Sequence, residues 1–153
     1  MAKITNTSKR KGTLKDALKG ADVFIGVSTA NLLKADDLKV MNKDAIVFAM
    51  ANPVPEIMPD EAKKVAAIVG TGRSDFPNQI NNSLGFPGIF RGALDAKALR
   101  INNEMKIAAA NALAGCVEPT RENILPYTLD KNVVKRVAEA VAKAAKETGV
   151  CRE

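Results

Sequence analysis

The chain contains no histidine and no tryptophan, one tyrosine and two cysteines among its 153 residues. Histidine is the side chain that titrates near neutral pH and a frequent zinc ligand, and Cys116 and Cys151 form no CxxC pair, so no zinc site is expected. Two scattered cysteines suit a reducing compartment rather than a disulfide scaffold. Aromatic residues make up only 4%. The core must therefore be aliphatic and alanine-rich, which suits helices covering a sheet better than a β-sandwich. No apolar run approaches the roughly 20 residues of a membrane span, and residues 1–11 lack the hydrophobic segment of a secretion signal. These absences predict a soluble, cytoplasmic protein with no membrane partner. Also missing are a GxGxxG fingerprint, a phosphate-binding P-loop, a metal-carboxylate cluster and a Ser-His-Asp set. The residues themselves assign no catalytic group and no metal ligand.

The hydrophobic fraction is 46%, enough for a sizeable core in one domain of this length. The formal charge is +6, and its basic excess is concentrated early, with Lys3, Lys9, Arg10, Lys11, Lys15 and Lys19 in the first twenty positions. Residues 1–12 read as a basic irregular arm and 13–153 as the folded part. The arm is either a solvated polar segment or an anion or nucleic-acid contact. No aromatic platform is interleaved with its charges, and no nucleic-acid partner is expected.

Thr13 can cap a short helix through Leu14, Ala17 and Leu18 that ends at Gly20. Residues 22–27 (DVFIGV) and 45–50 (AIVFAM) are short apolar runs without polar alternation, as expected of strands covered on both faces. A weak helical pattern over 35–41 lies between them. The prolines of 52–56 (NPVPE) impose an extended turn. A short helix over 59–65 and a third strand over 66–70 follow. Three strands separated by short helices predict an α/β fold with a parallel sheet and right-handed crossovers. Beyond Asp95, apolar positions at helical spacing predict two terminal helices: Ile101 to Leu113, stopped by Gly115, and Val133 to Ala145, stopped by Gly149.

Open parallel sheets bind ligands outside the carboxyl ends of their strands. The segments so placed are Gly26, Val27, Ser28 and Thr29; Ala51 to Pro55; and Thr71 to Asp75, continuing to Asn82. Asn52 offers a donor and an acceptor, or is a turn asparagine bonded to its own backbone. Asn81 and Asn82 precede a helical run beginning near Phe86 and Pro87, where they either favour an anion or cap without a ligand. Arg73 and Asp75 fit a structural ion pair better than a catalytic role.

Three segments carry a resemblance: residues 20–28 (GADVFIGVS), residues 47–56 (VFAMANPVPE), and the stretch from Gly70 through Arg91, Gly92, Ala93 and Leu94. From about Gly12 onward, and in this order, they resemble the bacterial and archaeal malic enzymes. That family oxidises L-malate with NAD or NADP and decarboxylates the resulting oxaloacetate to pyruvate, using Mg or Mn. The resemblance implies that Gly26, Val27 and Ser28 border the cofactor, that Asn52 and Asn81 contact both cofactor and substrate, and that Asn82 contacts substrate. It also implies that the family's catalytic tyrosine and lysine, its metal-binding acids and its glycine-rich loop precede the matched region. The expectation is a carboxyl-terminal portion of a nucleotide-binding domain, inactive alone, that works as a homo-oligomer or with an amino-terminal complement. The alternative is a non-catalytic fold fragment or complementation module that self-associates.

Overall fold

A computed structural model describes residues 4–152. The chain divides into two compact units, Met1–Pro77 and Asn78–Glu153. Residues 1–3 of the basic arm lie outside the described residues, and 4–12 form only turns and bends.

The first unit is built on a three-stranded sheet. Helix α1 (Leu14–Leu18) starts on Thr13, whose hydroxyl accepts from the Asp16 amide while the Asp16 carboxylate accepts from the Thr13 amide. This reciprocal pairing satisfies orphan donors of the first turn. The chain leaves through Gly20, in the left-handed region at φ +71°. Strands β1 (Val23–Gly26), β2 (Ile46–Ala49) and β3 (Ile68–Thr71) lie in the order β1-β2-β3, all parallel, with Val23 beside Ile46 and Ile46 beside Ile68. Helices α2 (Ala35–Leu38) and α3 (Pro59–Ala62) connect them. Both are shorter than the apolar pattern predicts. After α3 the chain continues in turns, with the Val65 and Ala66 amides donating to the Ala62 carbonyl. Leu18, Phe24, Leu38, Val47, Ile57 and Val69 form the centre of the apolar core.

The expectation that residues 22–27 are covered on both faces is corrected. Burial alternates along β1: Phe24 and Gly26 face the core, whereas Ile25 is 62% and Val27 77% exposed. The core cluster packs on one face, and β1 is also a sheet edge. An apolar run alone does not distinguish a strand covered twice from one covered once.

The second unit is helical. Asn81 opens a 3-10 turn (Asn82–Leu84) that leads into α4 (Phe86–Asp95), α5 (Asn103–Ala114) and α6 (Lys131–Glu147). Helix α5 is capped by Asn102, whose Oδ1 accepts from the Met105 amide at 2.9 Å, and α6 by Asp130. Gly115 follows α5, and Gly149 ends the turn after α6 at φ +65°. Helix α4 meets α6 backbone to backbone. A Cβ on Gly88 would lie 2.6 Å from Val137 Cβ, and one on Gly92 would meet the Ala138 carbonyl oxygen. Only glycine permits so close an approach. Met105, Ala109, Val133, Val137 and Val141 fill the core of this unit.

Candidate functional site

In the first unit, the ends of β1 and β2 are tied together by one carboxylate. Glu56 is fully buried. Its Oε1 accepts from the Ser28 amide at 2.7 Å, and its Oε2 accepts from the Ala51 amide at 3.0 Å. The Ser28 hydroxyl lies 3.4 Å from the same Oε1. Burial alone would raise this carboxyl, but the amides of Ala51, Ser28 and Glu56 itself outweigh it and hold the group below the usual glutamate range. The neighbouring backbone completes the tie, with the Asn31 amide donating to the Pro55 carbonyl at 3.0 Å and the Leu33 amide to the Glu56 carbonyl at 2.9 Å.

Gly26 is fixed by the same carboxylate. A Cβ there would stand 2.5 Å from Glu56 Cδ and 2.8 Å from Phe24 Cε1, so the glycine makes room for Glu56. The Ser28 amide is likewise committed to Glu56. What this strand end presents outward is the exposed surface of Val27 and Ser28. Asn52, just past the end of β2, is exposed ahead of a cis bond to Pro53, and its side chain makes no hydrogen bond among the described residues. The bond to its own backbone that the turn reading required is absent there.

At the end of β3, Arg73 and Asp75 form a two-pronged pair, Nε to Oδ1 at 2.9 Å and Nη2 to Oδ2 at 2.6 Å, with the guanidinium 5.4 Å above the Phe76 ring. Hydrogen bonding by Arg73 holds the Asp75 carboxyl below its ordinary range. Each group answers the other, which is the structural pairing predicted.

The second unit holds the other candidate asparagines. Asn81 Oδ1 accepts from the Ser83 amide at 2.9 Å, so this residue is a cap. Its Nδ2 makes no hydrogen bond among the described residues. The Asn82 side chain is exposed and has no hydrogen bond among those residues. Asn81 and Asn82 share a mostly apolar cavity of about 280 Å³ with Leu84 and Phe86.

Sequence reasoning missed two residues. Glu56 was visible only as an acid set in an apolar, proline-rich run from Val54 to Pro59. Asn78 lies inside the ligand-facing stretch but is structural: it adopts φ +56°, donates to the Arg121 carbonyl at 2.9 Å and accepts from the Ile124 amide at 3.0 Å. A left-handed, buried asparagine is the signal for such a role.

A sequence profile described as "Malic enzyme, NAD binding domain" matches residues 2–146. The chain belongs to the malic enzyme family, in its NAD-binding domain. It is 57% identical to the bifunctional malic/malolactic enzyme of Bacillus subtilis, over 99% of this chain and 38% of that protein. It is 54% identical to the NAD-dependent malic enzyme of Geobacillus stearothermophilus, over 99% of this chain and 32% of that one. The crystal structure of the malic enzyme from Pyrococcus horikoshii superposes with a TM-score of 0.93 at 54% identity, covering 96% of this chain and 35% of that chain. The chain thus spans about a third of the length of these malic enzymes, and its three parallel strands form the partial, Rossmann-like parallel sheet that the resemblance implies. No helix among the described residues is long and apolar enough to cross a membrane.

Proposed function

We propose that this chain supplies one wall of the site where a malic enzyme oxidises L-malate with NAD or NADP and decarboxylates the product to pyruvate. The observation that carries this reading is the Glu56 carboxylate joining the carboxyl ends of two adjacent parallel strands, the position at which open α/β sheets bind ligands. In this reading Gly26, Val27 and Ser28 border the cofactor as a shaped backbone surface. Asn52 and Asn81 serve cofactor and malate, and Asn82 serves malate. The unpartnered carboxamides of Asn52 and Asn82 can each donate to a carboxylate and accept from a hydroxyl, and Asn81, whose Oδ1 caps Ser83, keeps its Nδ2 as a donor.

The nicotinamide cofactor accepts the hydride when bound, and the exposed strand end with its free Asn52 carboxamide fits a neutral ring amide. A divalent ion does not fit these residues: among those described, no three His, Cys, Asp or Glu converge. Mg or Mn would need ligands from outside these residues, and malate turnover by the chain alone is not expected. Titration of the purified chain with NAD and with NADP tests the reading. Saturable binding weakened by Asn52→Ala supports it, and an absence of binding to either nucleotide contradicts a preformed cofactor wall.

The second reading, a self-associating or complementation module, rests on the open edge of β1. The Asp22 and Gly26 carbonyls accept from the Ile46 and Met50 amides of the β2 segment, so the backbone groups of Val23, Ile25 and Val27 point away from the sheet. Equilibrium sedimentation separates the two readings: a monomer at high concentration that binds nucleotide supports the first, and a nucleotide-blind oligomer the second.

A further inference from the structure

The outer side of α4 carries Phe86, Phe90 and Leu94 at four-residue spacing, and the two rings stack at 5.8 Å between centroids. The inner side is already used, since Gly88 and Gly92 pack on α6. A helix apolar on both sides has a second surface to cover. Leu94 is 76% exposed and Leu99, in the turn that follows, 66%. Together with Phe90 and Ile101 these two leucines wall a cavity of about 560 Å³, within the roughly 300–1,000 Å³ range of small-molecule sites.

Lys97, Arg100 and Arg152 also line this cavity. Among the described residues none of the three makes an ion pair, and Asp95, two positions before Lys97, is engaged by Arg91 at 2.7 Å. The backbone beneath them is fixed: Ala98 bridges Cys151, the Leu99 amide donates to the Val150 carbonyl at 2.8 Å, and the Arg152 amide donates to the Lys97 carbonyl at 3.0 Å. Three cations that pair with no acid among the described residues thus line an apolar trough, and an anion bound there gains their attraction.

We propose that this cavity binds an amphipathic small-molecule anion, an acyl or aryl chain of medium length ending in a carboxylate. The chain lies against Phe90, Leu94, Leu99 and Ile101, and the carboxylate sits among Lys97, Arg100 and Arg152. A bare anion leaves the apolar wall in water, and a neutral chain leaves the cations unpaired. Neither Asn81 nor Asn82 lines the cavity, so the proposal stands or falls independently of the malate reading.

The test is titration of the ¹⁵N-labelled chain with decanoate below its micelle-forming concentration, with decanol and acetate as matched arms. The expected result is saturable shifts for amides within 90–101 and at Arg152 with decanoate, binding weaker by about tenfold or more, roughly 1.4 kcal/mol, with decanol, and none with acetate. The triple variant Lys97→Ala, Arg100→Ala, Arg152→Ala should lose about tenfold in decanoate affinity with its decanol affinity unchanged. If the triple variant unfolds, Arg100→Gln alone must weaken decanoate severalfold. Equal binding of decanoate and decanol, shifts centred elsewhere, full decanoate affinity in the folded variants, or a second copy occupying the cavity in a concentration-dependent dimer would each overturn the proposal.

Discussion

The Oε1 atom of Glu56 lies 2.7 Å from the Ser28 nitrogen and would lie 2.7 Å from a Cβ placed on Gly26. One carboxylate oxygen thus accepts a hydrogen bond from an amide of the loop after β1 and forbids a side chain on the strand leading into it. Through Oε2 the same group reaches Ala51 at the end of β2. The geometry of the candidate site in the first unit depends on that side chain more than on any residue that would touch a ligand.

Replacing Glu56 by alanine leaves the Ser28 and Ala51 amides without their acceptor inside a buried site. Hydrogen bonds to a charged group contribute about 1.5–3 kcal/mol each, and stranded buried donors add to the loss. Glu56→Ala should therefore destabilise the first unit by roughly 3 kcal/mol or more in urea unfolding followed by circular dichroism. Glu56→Gln should cost less, because one oxygen remains an acceptor while the NH₂ group faces an amide donor.

Acid should act through the same group. The folded chain holds the Glu56 carboxyl below its unfolded value. On acidification the unfolded state binds the proton first, so the contribution is whole above the ordinary glutamate range and is lost as pH falls towards the folded-state value. Stability of the parent chain should fall through that acidic window, and Glu56→Gln should flatten the fall. Asp16, Asp36 and Asp75 are also held low, by Thr13, Lys39 and Arg73 respectively, but all three are solvent-exposed and contribute weakly to the profile.

Gly92→Ala sets two effects against each other. Alanine gains about 1 kcal/mol of helix propensity. The new methyl meets the Ala138 carbonyl oxygen and lies 2.8 Å from Val141 Cβ, both on the α6 helix, and overpacking of that kind costs about 1–3 kcal/mol or more. The clash wins where backbone cannot yield, so thermal unfolding should shift downward. An unchanged or raised midpoint would show that α4 and α6 can separate at little cost.

Asn78→Ala should cost more than an ordinary loop substitution. It removes the acceptor of the Ile124 amide and a donor to the Arg121 carbonyl and puts alanine in the left-handed region, which costs roughly 1–2 kcal/mol by itself. Hydrogen exchange at Ile124 should accelerate in this variant. Asn82→Ala, whose side chain is exposed and unpartnered, should leave exchange and stability unchanged.

Much of this fold was legible in the chain. Residues 22–27, 45–50 and 66–70 read as parallel strands because β-branched runs are punctuated by short polar segments, and β3 differs by being shifted to Ile68–Thr71. Thr13 and Gly20 read as helix ends because capping is local chemistry. The one-sided burial of β1 was not legible, since Val23 and Ile25 have the same composition whether or not something covers them. Glu56 escaped for a related reason: its partners Ser28 and Ala51 converge only once the sheet has formed. For Asn81 the capping contact is seen, with Oδ1 accepting from the Ser83 amide, whereas a ligand contact depends on a partner that the sequence does not contain.

The most direct test of the proposed function replaces the matched segment of the Bacillus subtilis malic/malolactic enzyme with this chain and assays malate-dependent reduction of NAD and NADP. The account predicts an active chimera in which Asn52→Ala, Asn81→Ala and Asn82→Ala each lower kcat/KM by about 10²-fold, roughly 2.7 kcal/mol of transition-state stabilisation, without unfolding it. A folded chimera without activity, or one whose three asparagine variants keep full kcat/KM, would contradict it.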